Sequence, residues 1–137
     1  MIVSRRFAHE RAAFRRYRDG DRIVREGEDG NEMFVIRTGA VRITKQVEGR
    51  IVVLADLGRG DFFGEMSVLE SLPREADVHA VGDTEVLVLG PGALLLRLRQ
   101  DPAFALEMLN RLSGRVRALN SQLVEALSKS AGARGDP

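Results

Sequence analysis

Regularly spaced glycines constrain the fold of this 137-residue chain more than any other feature. From position 20 onward they recur mostly about ten residues apart, as at 20, 30, 39, 49 and 58, and short runs rich in β-branched residues, such as 23–24 and 51–54, lie between them. The glycines are Gly20, Gly27, Gly30, Gly39, Gly49, Gly58, Gly60 and Gly64. Short strands separated by turn residues at this spacing are typical of antiparallel all-β folds. The sequence therefore predicts an antiparallel β-roll, which is jelly-roll-like.

The longest of these runs alternates between apolar and polar positions. A strand places successive side chains on opposite faces, so the alternation predicts one buried face for each strand. The residues expected on the buried face are Phe34, Ile36, Val41 and Ile43. Two hairpin turns are predicted around glycines, one at 38–40 and one at 48–50. The closing strands are expected at 78–81 and 86–89.

Helices follow the β-region. Pro91 is expected to start a short helix over 92–99, and Asp101 to cap a long helix over about 102–128. Apolar residues of the long helix follow a heptad pattern with spacings of three and four. They are Leu109, Leu112, Val116, Leu119, Leu123 and Ala126. This pattern favours a parallel homodimer, and the alternative is a helix that packs on its own β-roll.

The chain is expected to form one domain over residues 1–137. The β-roll would span about 12–90, the helices about 91–129, and a flexible tail 130–137. A net charge of +1 provides no global field that would attract nucleic acid or an acidic membrane surface. The sequence has no apolar run of the roughly 18 residues that a membrane span needs. Cysteine is absent, which excludes disulfides, thiol catalysis and cysteine-ligated iron–sulfur clusters. A cytoplasmic location is expected.

The stretch from 60 to 80 contains the candidate binding residues. Gly64 allows a ligand to approach the backbone, and a short helix over 65–69 is expected to turn Met66 and Leu69 inward. Unpaired N–H groups at a helix start attract phosphate, and Arg74 offers a bidentate, charge-assisted donor to the same spot. Glu65 supplies a carboxylate, which suits a ligand hydroxyl rather than a phosphate. Together these groups predict a ribose phosphate as the ligand.

The run FGEMSVLESLPREA resembles the phosphate-binding cassette of cyclic-nucleotide-binding domains, which occur in the catabolite activator protein family and in regulatory subunits of cAMP-dependent protein kinase. The run IVREGEDGNEMFVIRTGAVRI resembles the β-roll of the same family. The resemblance implies a cyclic nucleotide, cAMP or cGMP, as ligand. It assigns Glu65 to the ribose 2′-hydroxyl and Arg74 to the cyclic phosphate, with backbone groups from Gly64, Glu65, Met66 and Ser67.

The same resemblance gives the long C-terminal helix two roles, covering the ligand and forming a dimer. It places Asn120 and Ser121 where the family's helix meets the base. A conformational change on binding would pass to an effector protein whose identity the sequence leaves open. The gene-regulatory relatives continue into a helix-turn-helix, which this sequence lacks, so no direct DNA binding is expected.

Glu75 departs from the family pattern, which usually has Ser, Thr or Ala after the arginine. A carboxylate about 5 Å from a phosphate costs roughly 3 kcal/mol at an effective dielectric constant near 20. The 56–85 segment contains eight acids and two bases, Arg59 and Arg74. Glu75 could point away, pair with a cation, or accept hydrogen bonds from a guanine edge, which would suit cGMP or cyclic di-GMP. The alternative function is a degenerate domain that binds no nucleotide and serves in dimerisation or protein binding.

A metal-dependent barrel enzyme of the cupin type is the other alternative. Such a site needs two histidines and an acid, and this chain has only His9 and His79, which are far apart in sequence. Neither a G-x-S-x-G motif nor a P-loop occurs. We therefore predict no catalytic residues, no metal site and no enzyme activity.

Overall fold

The computed structural model describes residues 12–133, which form six strands and three helices. The strands are β1 (Ala13–Tyr17), β2 (Arg22–Val24), β3 (Met33–Val47), β4 (Arg50–Leu57), β5 (Phe62–Phe63) and β6 (Asp77–Leu89). The helices are α1 (Glu65–Glu70), α2 (Pro91–Gln100) and α3 (Pro102–Ala133). The chain divides into two compact units, the first ending at Leu96 and the second beginning at Arg97. The expected single domain over 1–137 stays a prediction.

Two long strands organise the first unit. The sheet has the order β1-β6-β3-β4, with β2 also paired to β6 and β5 also paired to β3. All of these pairs are antiparallel. Because β3 and β6 each bend and hydrogen-bond to several partners, the sheet wraps around its own core. This arrangement confirms the predicted antiparallel β-roll.

The core of the roll consists of the residues that the alternation placed on one face. Phe34 and Ile36 are 3% and 1% exposed, and Val41 is fully buried. These residues pack with others from β2, β5 and β6, namely Val24, Phe63, Val78, Val86 and Val88. Phe34 and Phe63 lie opposite each other in the β3–β5 pair, and their rings stack with centroids 4.9 Å apart. The candidate site is built on this aromatic pair.

Only one of the two predicted hairpin turns is correct. Glu48 and Gly49 both have positive φ angles, of 51° and 77°, and form the tight turn between β3 and β4. The turn predicted at 38–40 is wrong, because β3 continues through it as a single strand. The register of β3 against β6 shifts on both sides of Thr38, and Gly39 has a φ of 85°. The glycine therefore produces a bulge rather than a chain reversal.

The second unit consists mainly of α3, which extends further than expected. Asp101 caps the helix as predicted, since its carboxylate accepts a hydrogen bond from the N–H of Phe104 at 3.1 Å. Residues 130–133 of the expected tail are helical, and residues 134–137 lie outside the described range. Although α3 is the longest helix, neither it nor any other helix within 12–133 has an apolar stretch of the length that a bilayer requires.

The heptad positions of α3 are largely exposed in the single chain. Leu109, Val116, Leu119 and Leu123 each leave more than half of their surface in contact with solvent. An apolar row of this length is unusual on a surface that has no partner.

The bulge at Gly39 generates a stability prediction. Gly39→Ala should lower the free energy of unfolding by more than the roughly 1–2 kcal/mol expected for a left-handed backbone alone. The reason is that a Cβ here would also overlap the Asp83 carbonyl oxygen and the Thr84 hydroxyl. Gly82→Ala is the matched control, since Gly82 has a φ of 70° and no neighbour within 4 Å of the added atom. Urea unfolding measures both, and equal losses would contradict the packing role of Gly39.

Candidate functional site

The segment that joins β5 to β6 forms a compact loop around one short helix. Gly64 precedes α1 with a φ of 81°, and Ser71 follows it with a φ of 56°. A Cβ at position 64 would lie 2.9 Å from the carbonyl oxygen of Glu32 and 2.8 Å from Nη1 of Arg74. Glycine is therefore required at position 64 both by its backbone conformation and by the close approach of β3 and Arg74.

The inward face of α1 differs from the predicted one. Met66 and Leu69 are 38% and 54% exposed, so the expectation that they face inward is wrong. Ser67 is 4% exposed, and its hydroxyl donates a hydrogen bond to the Leu72 carbonyl at 2.8 Å. Because successive residues of a helix are about 100° apart, an inward Ser67 turns Met66 outward. Ser67 thus fixes the return of the chain toward Arg74.

Arg74 is held by the loop between β2 and β3. Its main chain exchanges hydrogen bonds with this loop, from the Gly27 N–H to the Arg74 carbonyl at 2.8 Å and from the Arg74 N–H to the Glu28 carbonyl at 2.9 Å. Its Nη1 donates to the Glu32 carbonyl at 2.8 Å and to the Gly64 carbonyl at 3.2 Å. One guanidinium nitrogen therefore ties the β2–β3 loop to the start of α1.

Packing contacts also hold the guanidinium of Arg74 in position. Its Cζ lies 5.6 Å from the centroid of the Phe34 ring, over the stacked aromatic pair. On the other side it lies against Gly30, where an added Cβ would be 2.5 Å from Nε and Nη2. Gly30 and Phe34 thus leave a slot in which the guanidinium fits, and a side chain at position 30 would occupy that slot.

The electrostatics of this arrangement suit an anionic ligand. Burial lowers the pKa of Arg74, and the negative charges of Glu32 and Glu65 act in the opposite direction. An arginine nevertheless stays charged in proteins. Among residues 12–133, no hydrogen-bond acceptor engages the N–H groups on Nε and Nη2. The structure therefore brings Glu65 within electrostatic range of Arg74 and leaves the N–H groups on Nε and Nη2 without an acceptor among the described residues.

Glu75 is exposed and lies beside a cation that the sequence did not indicate. The Lys45 ammonium donates to the main-chain carbonyl of Glu75 at 3.0 Å. Lys45 lies outside the 56–85 segment, in which only two bases were counted against eight acids. The local excess of negative charge is therefore smaller than the sequence indicated.

The remaining candidate residues lie outside the cassette segment of the sequence. Asn120 and Ser121 are both exposed on α3, in the second unit, and their predicted contact with a base stays a prediction. His79 is half-buried in β6, and His9 lies outside the described residues. Within 12–133, no three histidine, aspartate or glutamate side chains come together in a way that could bind a metal ion.

Sequence reasoning missed four contributors to the site: Gly30, Glu32, Phe34 and Lys45. Their contacts to the cassette are long-range, over 30 to 42 residues for the hydrogen bonds of Lys45 and Glu32. Gly30, Glu32 and Phe34 do lie in the stretch that resembles the family's β-roll, so that signal was present. No sequence signal indicated Lys45.

Comparison with known proteins identifies the family of the chain. Residues 14–101 match the family model of the cyclic nucleotide-binding domain. The chain belongs to the cyclic nucleotide-binding domain family. The match extends from β1 through the roll and the cassette to α2.

Relatives of this cyclic nucleotide-binding domain include regulatory and receptor proteins. A cAMP-dependent protein kinase regulatory subunit from Debaryomyces hansenii is 42% identical over 74 residues, which are 54% of this chain and 16% of the relative. The cyclic AMP receptor protein of Thermus thermophilus is 34% identical over 110 residues, which are 80% of this chain and 51% of the relative. The chain thus spans at most about half of either relative.

A solved structure shows the same fold. The crystal structure of the Thermus thermophilus catabolite activator protein is 34% identical in sequence and gives a TM-score of 0.73. The match covers 85% of this chain and 55% of that one. The likeness supports the antiparallel β-roll.

The slot at Gly30 leads to a prediction about Arg74. Gly30→Ala should displace the guanidinium from its two carbonyl acceptors, because the added methyl group occupies the same space. Since the displaced group is the flexible end of a side chain, the free energy of unfolding should fall by no more than about 2 kcal/mol. The Nε–H signal of Arg74 in an NMR spectrum should shift, and Gly58→Ala, which adds a methyl group with no neighbour within 4 Å, should leave it in place. An unchanged signal in Gly30→Ala would contradict the slot.

Proposed function

We propose that this chain is a regulatory module that binds a cyclic nucleotide, cAMP or cGMP. The observation that carries the proposal is Arg74, which is fixed by two carbonyls and an aromatic ring while its Nε and Nη2 N–H groups have no acceptor among the described residues. A cyclic phosphate would accept hydrogen bonds from that edge. Glu65 would accept one from the ribose 2′-hydroxyl, and the main chain from Gly64 to Ser67 would line the remaining side.

The family supports a sensory role rather than a catalytic one. The relatives named above are a kinase regulatory subunit and a cyclic AMP receptor, and we propose the same class of activity here, without catalysis, in the cytoplasm. As a sensor, the module must bind ligand more tightly in one conformation than in another. An effector protein would then respond to that conformation.

A domain that binds no nucleotide is the competing function. Its support is Glu75, an exposed carboxylate directly after the phosphate-binding arginine. The position of Lys45 weakens that support, because its ammonium lies at the main chain of the same residue. Binding measurements decide between the two functions.

We also propose that two copies of α3 form a parallel homodimer along the heptad positions. Burial of the exposed apolar row would stabilise the dimer by roughly 25 cal/mol per Å² of apolar surface removed from water. Asn120 and Ser121 would then be available to the base, as the family resemblance implies. Direct DNA contact forms no part of this proposal.

The binding prediction uses three variants that act on different groups. Arg74→Ala should weaken cyclic nucleotide binding at least tenfold, roughly 1.4 kcal/mol or more, since it removes the phosphate donor. Gly30→Ala should weaken it similarly, although Arg74 is still present, because the guanidinium is displaced. Glu65→Gln should lower the affinity for ligands that contain a ribose by about tenfold. Isothermal titration calorimetry with cAMP and cGMP measures each dissociation constant.

Arg42→Ala is the control, because Arg42 is an exposed arginine that pairs with Asp56 on the roll at 2.8 Å. It should leave binding unchanged. The free energy of unfolding is measured in parallel, since Arg74 also holds two carbonyls and its removal affects the free protein. Wild-type protein that binds no cyclic nucleotide at millimolar concentration would overturn the proposed function.

The dimer prediction concerns charges placed on the heptad positions. Leu112→Glu combined with Leu119→Glu should convert a dimer into a monomer in sedimentation experiments, since two charges would be buried in each helix of an apolar interface. Gly114→Glu combined with Ala118→Glu adds the same charges at positions outside the heptad row and should leave the dimer intact. A wild-type monomer at high micromolar concentration would contradict the dimer.

A further inference from the structure

The sheet of the first unit has two edge strands, β1 and β4, and the two edges differ in charge. Among residues 12–133, β1 pairs only with β6, and β4 pairs only with β3, so each has one side without a neighbouring strand. The edge of β1 carries Arg15 and Arg16, whose side chains are 48% and 86% exposed. Charged side chains at an edge discourage the addition of a further strand.

The edge of β4 has no such protection over four consecutive residues. They are all apolar, and they are all exposed, namely Ile51, Val52, Val53 and Leu54 at 71%, 39%, 51% and 47%. Because side chains alternate between the two faces of a strand, both faces of β4 are apolar here. Exposed apolar edges without charges are the sites at which sheets acquire another strand. The structure therefore leaves β4, and not β1, suited to pairing.

The two-residue turn between β3 and β4 fixes which backbone groups of β4 face the free edge. Val47 lies opposite Arg50, directly on either side of this turn. Residues that flank a two-residue turn exchange both of their hydrogen bonds, and the pattern then alternates along the strand. Val52 therefore also bonds to β3. The N–H and C=O groups of Ile51 and Val53 point away from β3, toward the free edge.

We propose that the β4 strands of two copies of this chain pair antiparallel along their free edges. In the register that we propose, Ile51 lies opposite Val53 of the other copy, and the two Val52 residues lie opposite each other on the two-fold axis. This register joins each residue whose N–H and C=O groups point outward to another such residue. The side chains that meet are β-branched and apolar on both faces, and such cross-strand pairs stabilise a sheet. The strand is therefore complementary to itself.

The structure also limits this pairing to two copies. The β3–β4 register shifts between Ile43 and Thr44 and leaves Leu54 as an extra residue on β4, and such a bulge ends a regular ladder. Pairing uses the β4 edge of both copies, and the β1 edges that remain carry arginines. The paired segments are short and bury less than the roughly 1,200 Å² of a typical stable interface, so we expect association near millimolar concentration. The inference goes beyond the proposed function and does not rest on it.

A single introduced thiol tests the register, because the chain has no cysteine. The full chain also carries Leu112→Glu and Leu119→Glu, so that α3 does not hold two copies together. The two Cα atoms at position 52 would form a non-hydrogen-bonded pair about 4.5 Å apart, a distance that a disulfide spans. With oxidised glutathione, Val52→Cys should form a covalent dimer roughly tenfold faster than Ile51→Cys, whose two copies lie diagonally across the ladder. Random collision would favour Ile51→Cys instead, since Ile51 is the more exposed residue.

Amide hydrogen exchange tests the backbone pairing without a thiol. In the same α3 variant, the N–H groups of Ile51 and Val53 should exchange severalfold more slowly at about 1 mM than at about 20 μM protein. The N–H of Val52 already bonds to β3, so its exchange should not depend on concentration. Val53→Pro removes an outward N–H that β3 does not use, and it should abolish the slowing at Ile51. Val53→Ala is the control, because it retains that N–H and should retain part of the slowing.

Each outcome supports or overturns the pairing of two copies. Cross-linking that is equally fast at positions 51 and 52, or faster at 51, contradicts the register. Exchange at Ile51 and Val53 that does not change with protein concentration overturns the pairing, whether or not the Val53→Pro protein folds. A synthetic strand-forming peptide, KTVTVTK, is the probe for an unrelated strand. Slowing that needs this peptide, and that the protein alone does not show, overturns a second copy as the occupant of the edge.

Discussion

The arrangement of the first unit depends on one partly desolvated guanidinium. Partial burial of the Arg74 guanidinium costs free energy and lowers the pKa of this group. The nearby negative charges of Glu32 and Glu65 oppose that lowering. Two carbonyls and the Phe34 ring compensate for lost hydration. The contacts explain why the cassette stays close to β3. An arginine held in this way is the basis for the proposal of an anion site.

Much of the fold could be predicted from the sequence, because local rules and tertiary packing agree there. Alternation along β3 identified Phe34, Ile36 and Val41 as core residues, and they are almost fully buried. Asp101 capped α3 as expected, since an aspartate before a helical pattern needs only local contacts to act. The cassette residues Glu65 and Arg74 were identified from their spacing in the motif and do lie within electrostatic range of each other.

The sequence predictions were wrong where a local pattern is compatible with two structures. A glycine with positive φ suits a turn or a bulge, and Gly39 takes the bulge because β6 runs alongside and continues the ladder. The inward face of α1 could not be decided from six residues, and the bond from Ser67 to Leu72 selects a face that turns Met66 outward. The contact between Lys45 and Glu75 could not be predicted from the sequence, because it depends on how two distant segments fold together. The placement of residues from distant segments around the cassette is a tertiary property and leaves little trace in a single sequence.

We propose that Arg74 is a phosphate site that is in place before the ligand binds. A crystal structure of the protein grown with a cyclic nucleotide tests it most directly. We expect phosphate oxygens within about 3 Å of Nε and Nη2 of Arg74, with Nη1 still donating to the Glu32 and Gly64 carbonyls, and a ribose hydroxyl at Glu65. A ligand bound elsewhere, or an Arg74 that keeps its contacts while the phosphate is held by other residues, would contradict it.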